Sequence, residues 1–207
     1  MSMPMEIITE STELQRAGFA WRGAGGAVRA LYCQALEREG FTNGFSTRTG
    51  GTSLMPHDAL NLAGFNEDEA ENIHENRRRF LQLFDGDWTL TAVWQMHSAD
   101  IRVVCDLKDA RSDEERCDAL VTDVPGILLA VKSADCVPVL LGDVRPGGCA
   151  AVHAGWRGTF AHIAARKDAL RPAREIILLE ALPQFDAELG FRRELFEGDS
   201  LAFAGCP

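Results

Sequence analysis

ILLAVKSADCVPVLL, residues 127–141, decides how this chain folds. An apolar run (Ile127–Val131), a short polar break and a second apolar run (Val137–Leu141) predict two strands buried on both faces. Near-continuous apolar segments of this length suit strands covered by further layers. The same rhythm extends outward. Leu90–Trp94, Ile101–Cys105 and Ala119–Val121 precede the stretch, and Cys149–His153 and Ile176–Leu179 follow it. Turn residues such as Pro125-Gly126 and Pro146-Gly147-Gly148 separate them. Glu67 to Phe84 predicts an amphipathic helix with Ile73, Phe80, Leu81 and Phe84 on one side. Its first turn is acidic, as the helix dipole favours, and Asp85-Gly86-Asp87 ends it. Thr159–Leu170 predicts a second helix, stopped near Pro172. Val28–Glu39 fits helix or strand equally, and Gly40–Gly51 reads as connecting structure around a short extended piece, Phe45-Ser46-Thr47. The fold class that follows is α+β: a single domain over residues 1–207, with mixed β-sheets and flanking helices.

Composition narrows the function classes. The chain has 207 residues, 46% apolar and 25% charged, the balance of a soluble globular domain. Its net charge of −10 argues against a nucleic-acid surface, which needs a basic footprint, but leaves room for a local anion pocket. No apolar run approaches the roughly 18–20 residues of a membrane span. Met1 to Glu13 lacks the basic and apolar regions of a signal peptide, so the expected location is the cytoplasm. Of six cysteines, Cys33, Cys105, Cys117 and Cys149 read as reduced core residues and Cys206 as part of a frayed end. Only Cys136 has a context that suggests chemistry.

That context is a set of three: His97 in WQMHS, Cys136 in SADC and His153 in HAGWRG. Each is expected at a strand end, where a sheet can converge side chains on one point. One thiolate and two imidazoles suit Zn²⁺, and three protein ligands leave the fourth tetrahedral position for water or substrate. Water bound there titrates near pH ~7 and becomes a usable nucleophile. Gln95 and Asp135 are natural groups to orient the ligands or touch substrate. Gly155-Trp156-Arg157-Gly158-Thr159 reads as a glycine-bracketed turn before a helix starting at Thr159, whose free N–H groups would face an anion. Arg157 adds a planar fork for phosphate oxygens, and Arg48 beside Gly50-Gly51 offers a second. Alone, Arg157 reads equally as a surface charge or salt-bridge partner, and Arg48 more readily as one. His57, His74 and His162 read as structural or surface histidines.

The segments FSTRTGG, LNLAGFNED, ENRRRF, WQMHSADIRVV, CDALVTDVPGILLAVKSADC, VPVLL and AVHAGWRGT, in that order, resemble the bacterial polyphenol-oxidoreductase (laccase-type) family across roughly Phe41 to Leu170. That family is described as zinc-dependent purine nucleoside phosphorylases with adenosine deaminase and methylthioadenosine phosphorylase activity, and one member type is called the peptidoglycan editing factor. The resemblance implies an α/β/β/α layered fold. It also implies metal ligation by His97, Cys136 and His153, which would be the catalytic centre. A purine nucleoside (adenosine, inosine, guanosine or methylthioadenosine) and phosphate would be its small-molecule partners, with Arg48, Gln95, Asp135 and Arg157 in contact with substrate. The C-terminal part departs from the family pattern. Only an echo survives in Glu180–Gly190, and Phe191–Pro207 matches nothing expected, as in a shortened chain.

Three other readings compete. A His₂Cys set also suits blue copper, with Met96 as a conceivable axial ligand. Met96 adjoins His97, however, and on a strand the two side chains would point to opposite faces. Five histidines in all are too few for a trinuclear copper cluster besides. Cys136 could instead act as a nucleophile, with His97 or His153 as base, on an amide such as a cell-wall precursor. The fourth reading is a binding module without catalysis. The H-x-E…P-C-x-x-C signature of nucleobase deaminases is absent, so deamination here would need another arrangement.

Overall fold

The structure, a computed structural model, describes residues 10–23, 25–54, 58–62, 68–111, 115–145, 147–165, 176–179 and 200–206. The elements in chain order are α1 (Glu10–Arg16), β1 (Phe19–Arg22), β2 (Ala30–Cys33), α2 (Gln34–Arg38), β3 (Thr42–Ser46), β4 (Thr49–Ser53), α3 (Ala70–Leu81), β5 (Thr89–Thr91), β6 (Ile101–Val103), β7 (Ala119–Thr122), β8 (Ile127–Ser133), β9 (Val137–Asp143), β10 (Gly148–Ala154), α4 (Trp156–Phe160), β11 (Ile176–Leu179) and β12 (Ser200–Gly205). Strands β1-β2-β3-β12-β8-β5 form one sheet and β11-β9-β10-β7-β6 the other. Both are mixed. The β5/β8 and β6/β7 pairs are parallel and the remaining pairs antiparallel. This is the expected α+β class with mixed sheets.

Strand β8 shows why the opening stretch governs the fold. Its side chains alternate: Ile127, Leu129 and Val131 join a core shared by both sheets, while Leu128 and Ala130 face Leu60, Leu62, Phe80 and Phe84 beside α3. In the second sheet, Cys149 and Ala151 of β10 enter the shared core. Ala150 and Val152 turn outward to pack with Ile163. Every residue of β8 but Lys132 is therefore buried. A buried Leu or Phe side chain contributes about 1.5–3 kcal/mol, so the two-sided burial of β8 and β10 fixes their register firmly.

Several expectations are corrected. Val28–Glu39 holds both structures, β2 followed by α2, because the Asn43 side chain takes the N–H of Cys33 at 2.8 Å and donates to its carbonyl at 3.1 Å where strand becomes helix. The Gly40–Gly51 region is two strands, not a connection. The short helix α4 begins at Trp156, not Thr159, and the end of the helix expected there lies outside the described residues, as do His57 and the Glu180–Gly190 echo. Cys33, Cys117 and Cys149 are buried as expected, but Cys105 is exposed. Cys206 is buried, its sulfur 2.9 Å from that of Cys149, because the strand before it is central. β12 lies between β3 and β8. None of the helices among the described residues is long and apolar enough to cross a membrane.

Helix α3 is coupled to β4 through a buried amide. Asn76 accepts the Thr52 N–H at 2.8 Å and donates to Ser53 Oγ at 2.9 Å and to the Asn61 carbonyl at 3.0 Å. Removing it takes a partner from the half-buried Thr52 N–H and from the buried Ser53 hydroxyl, each loss costing about 1–2 kcal/mol. Asn76→Ala is therefore expected to lower stability by about 2–4 kcal/mol, read as a lower urea midpoint at unchanged slope. An unshifted midpoint would contradict this coupling.

Candidate metal centre

Three segments deliver the three predicted residues to one end of the sandwich. Strand β8 leaves the first sheet at Ser133, and the chain bends through Ala134-Asp135-Cys136 to enter the second sheet as β9. The Ser133 hydroxyl closes this bend on the Cys136 carbonyl. Pro138 follows, without an N–H to give, opposite His153 of β10. His97 is not at a strand end as expected. It lies in the β5–β6 connection with a left-handed backbone, φ 58°, so the alternation argument about Met96 has no strand to act on.

The donor atoms of His97, Cys136 and His153 all lie within 4.8 Å of one another. Cys136 Sγ is 3.5 Å from His97 Nε2, and the two imidazole rings meet edge to face with centroids 5.0 Å apart. Zinc bonds of about 2.0–2.1 Å to nitrogen and 2.3 Å to sulfur at tetrahedral angles put such ligands about 3.5 Å apart. The Cys136–His97 pair has that spacing, and three donors of this kind would leave one position of a four-coordinate ion open. Its chemistry would be that of a Lewis acid reachable from solvent, since His97 and Cys136 are half-buried and His153 is buried.

A residue that the sequence does not single out organises the site. Asp118, just before β7, is fully buried and its Oδ1 lies 2.8 Å from His153 Nδ1. The same oxygen accepts the His97 N–H at 2.9 Å. Oδ2 accepts the Met96 N–H at 3.1 Å, the Ser98 N–H at 2.7 Å and the Ser98 hydroxyl at 2.8 Å. Burial pushes this carboxyl up, but the bonds from His153, Ser98 and Met96 outweigh it and hold it below the usual carboxylate range. The signal is present in the Cys-Asp-Ala-Leu motif, but one carboxylate among 31 acidic residues gives no reason to choose it.

The other predicted residues fall in different places. Both ends of the Gln95 amide are occupied by Lys132, donating to its carbonyl and accepting its N–H, each at 2.7 Å. Gln95 thereby ties the His97 segment to the strand that leads into Cys136. Asp135 is exposed on the Cys136 bend. Arg157 is exposed on α4, its guanidinium 4.9 Å above the Trp156 ring. Arg48 stands on the β3–β4 connection and not on any segment that carries a candidate ligand. The anion site expected at Thr159 is corrected, because the Thr159 N–H donates to the Gly155 carbonyl at 2.8 Å. The segments that carry the three candidate ligands leave large apolar groups in solvent: Trp94 and Met96 near His97 in sequence, Val137 next to Cys136, Trp156 and Phe160 after His153.

The glycines of HAGWRG serve contact. A Cβ on Gly155 would stand 2.4 Å from His97 Cδ2 and 3.2 Å from His153 Cε1. One on Gly158 would stand 2.8 Å from the Ser98 carbonyl oxygen. The backbone of Gly155 is one that any residue adopts, so the demand is steric. Gly155→Ala is expected to push the His97 ring aside and weaken binding of added Zn²⁺ by about 10–100-fold, measured by competition with a chromogenic chelator, while far-UV circular dichroism stays unchanged. Unaltered Zn²⁺ affinity would contradict this placement.

A family model described as multi-copper polyphenol oxidoreductase laccase matches residues 42–171. The chain is 40% identical over 120 residues to the purine nucleoside phosphorylase YfiH of Shigella flexneri, covering 57% of this chain and 47% of that protein. It spans about half the length of the curated relatives it matches. Two solved structures share the fold. They are YlmD of Geobacillus stearothermophilus (TM-score 0.65, 23% identity, 86% of this chain and 96% of that one) and the Bacillus licheniformis hypothetical protein YfiH (TM-score 0.66, 21% identity, 90% and 99%). With well over half of its residues inside the matched segment, this chain belongs to the multi-copper polyphenol oxidoreductase laccase family.

Proposed function

We propose that this protein is a zinc-dependent purine nucleoside phosphorylase, acting on adenosine, inosine, guanosine or methylthioadenosine, with adenosine deamination as a side activity. The observation that carries the reading is the convergence of His97, Cys136 and His153, three donors that would leave the fourth position of a tetrahedral ion open. The relatives at 35–40% identity named purine nucleoside phosphorylase give it its substrate class. Zinc held there would supply a Lewis acid facing the nucleoside. A flat purine suits the exposed apolar groups on the ligand-bearing segments, above all Trp156, which is 70% exposed. Arg157, beside that ring, is the nearest candidate in sequence to grip phosphate; Arg48 is the second, from the other sheet. Phosphate then attacks the anomeric carbon of the ribose, the bond to the purine nitrogen breaks, and ribose 1-phosphate and free base leave. Asp135, exposed on the Cys136 bend, would contact the substrate in this reading. Copper oxidase chemistry is not favoured by the residues: five histidines in the whole chain, two of them in this set, leave too few for a second copper cluster.

The test is product analysis with zinc-loaded protein. Inosine should yield hypoxanthine and ribose 1-phosphate only when phosphate is present. Cys136→Ala should reduce that rate by at least about 100-fold, as loss of a group acting on the transition state does. Free ribose formed without phosphate, or full activity in Cys136→Ala, would overturn the proposal.

A further inference from the structure

One buried carboxylate touches both histidine segments of the candidate centre. Asp118 takes the N–H groups of Met96, His97 and Ser98, three in succession, and so wraps the chain into the left-handed turn at His97. A residue other than glycine takes that backbone uncommonly, histidine less rarely than most, and here three bonds to one carboxylate hold it. Asp118 addresses His153 twice: its carbonyl accepts the His153 N–H at 2.7 Å and its Oδ1 meets the ring Nδ1 at 2.8 Å. An ionised carboxylate can only accept, so every group facing it must donate, including His153 Nδ1.

We propose that Asp118 is the positioning residue of the metal centre, locking His153 as the Nδ1–H tautomer and the 96–98 turn in one conformation, so that His153 Nε2 is left as a bare lone pair for the ion. This rests on reading His97, Cys136 and His153 as ligands. The geometry also says what an amide would do in its place. Turned with its NH₂ at the Oδ2 position, the amide of Asp118→Asn would oppose the N–H groups of both Met96 and Ser98, neither of which can become an acceptor. Turned with its NH₂ at the Oδ1 position, it opposes only the His97 N–H, and His153 can accept from it by moving its proton to Nε2. The second arrangement loses less. Asp118→Asn therefore blocks the ligand nitrogen while disturbing few other contacts.

The tautomer is read from long-range ¹⁵N–¹H correlation spectra of metal-free protein at about pH 8, above the usual imidazole range. The unaltered protein should show His153 with its proton on Nδ1, and Asp118→Asn should show it on Nε2. Zn²⁺ affinity should fall by about 10–100-fold in Asp118→Asn, and by less in Ser98→Ala, which removes one donor and leaves the imidazole bond. A proton on Nε2 in the unaltered protein, or undiminished Zn²⁺ affinity in a folded Asp118→Asn, overturns the proposal. If Asp118→Asn does not fold, the tautomer of the unaltered protein decides. Failure of the unaltered protein to bind Zn²⁺ would count against the ligand reading, while the metal-free tautomer would still report on Asp118 by itself.

Discussion

A single ionised carboxylate, buried at the end of a two-sheet sandwich, sets the shape of everything around it. Burying such a charge costs several kcal/mol unless the protein supplies donors to match. Here the donors come from the residues that present chemistry: three consecutive N–H groups, one hydroxyl and one imidazole converge on Asp118. The carboxylate is stable because the His97 turn closes over it, and the turn keeps its left-handed residue because the carboxylate is there. The folding of this corner and the arrangement of the candidate ligands are thus one energetic problem.

The sandwich provides the rigid frame for that corner. Strand β8 is packed on both faces, and at its end the chain crosses to the second sheet within three residues, carrying Cys136 on the bend. His153 extends from β10, itself paired on both sides by β7 and β9. Two candidate ligands are therefore set by the sheets and the bend between them and the third by hydrogen bonds to Asp118, with Gly155 and Gly158 permitting the close approach of the His97 ring and the Ser98 backbone. A site supported from strands and a buried ion keeps its geometry better than one built on loops alone. Trp156 and Phe160, on the short helix that follows His153, are left in solvent beside this frame.

Much of this is legible in the sequence, and the gaps have physical causes. The strands around residues 127–154 announce themselves because two-sided burial demands unbroken apolar runs. His97, Cys136 and His153 stand out because these residue types are few and chemically distinctive. Asp118 does not, since a carboxylate before a strand looks the same whether solvated or buried among donors. Nor does β12: SLAFAG is short and rich in small residues, and its place between β3 and β8 depends on partners far away in the chain. The glycines of HAGWRG read as turn formers facing an anion. Their need is steric contact with His97 and Ser98, which no local pattern reveals.

X-ray absorption at the zinc edge of the loaded protein tests the central claim most directly. One sulfur at about 2.3 Å with nitrogen or oxygen neighbours at about 2.0–2.1 Å is the result expected of a centre built from His97, Cys136 and His153, with the sulfur signal lost in Cys136→Ala. A zinc shell holding no sulfur, or one unchanged by that substitution, would contradict it.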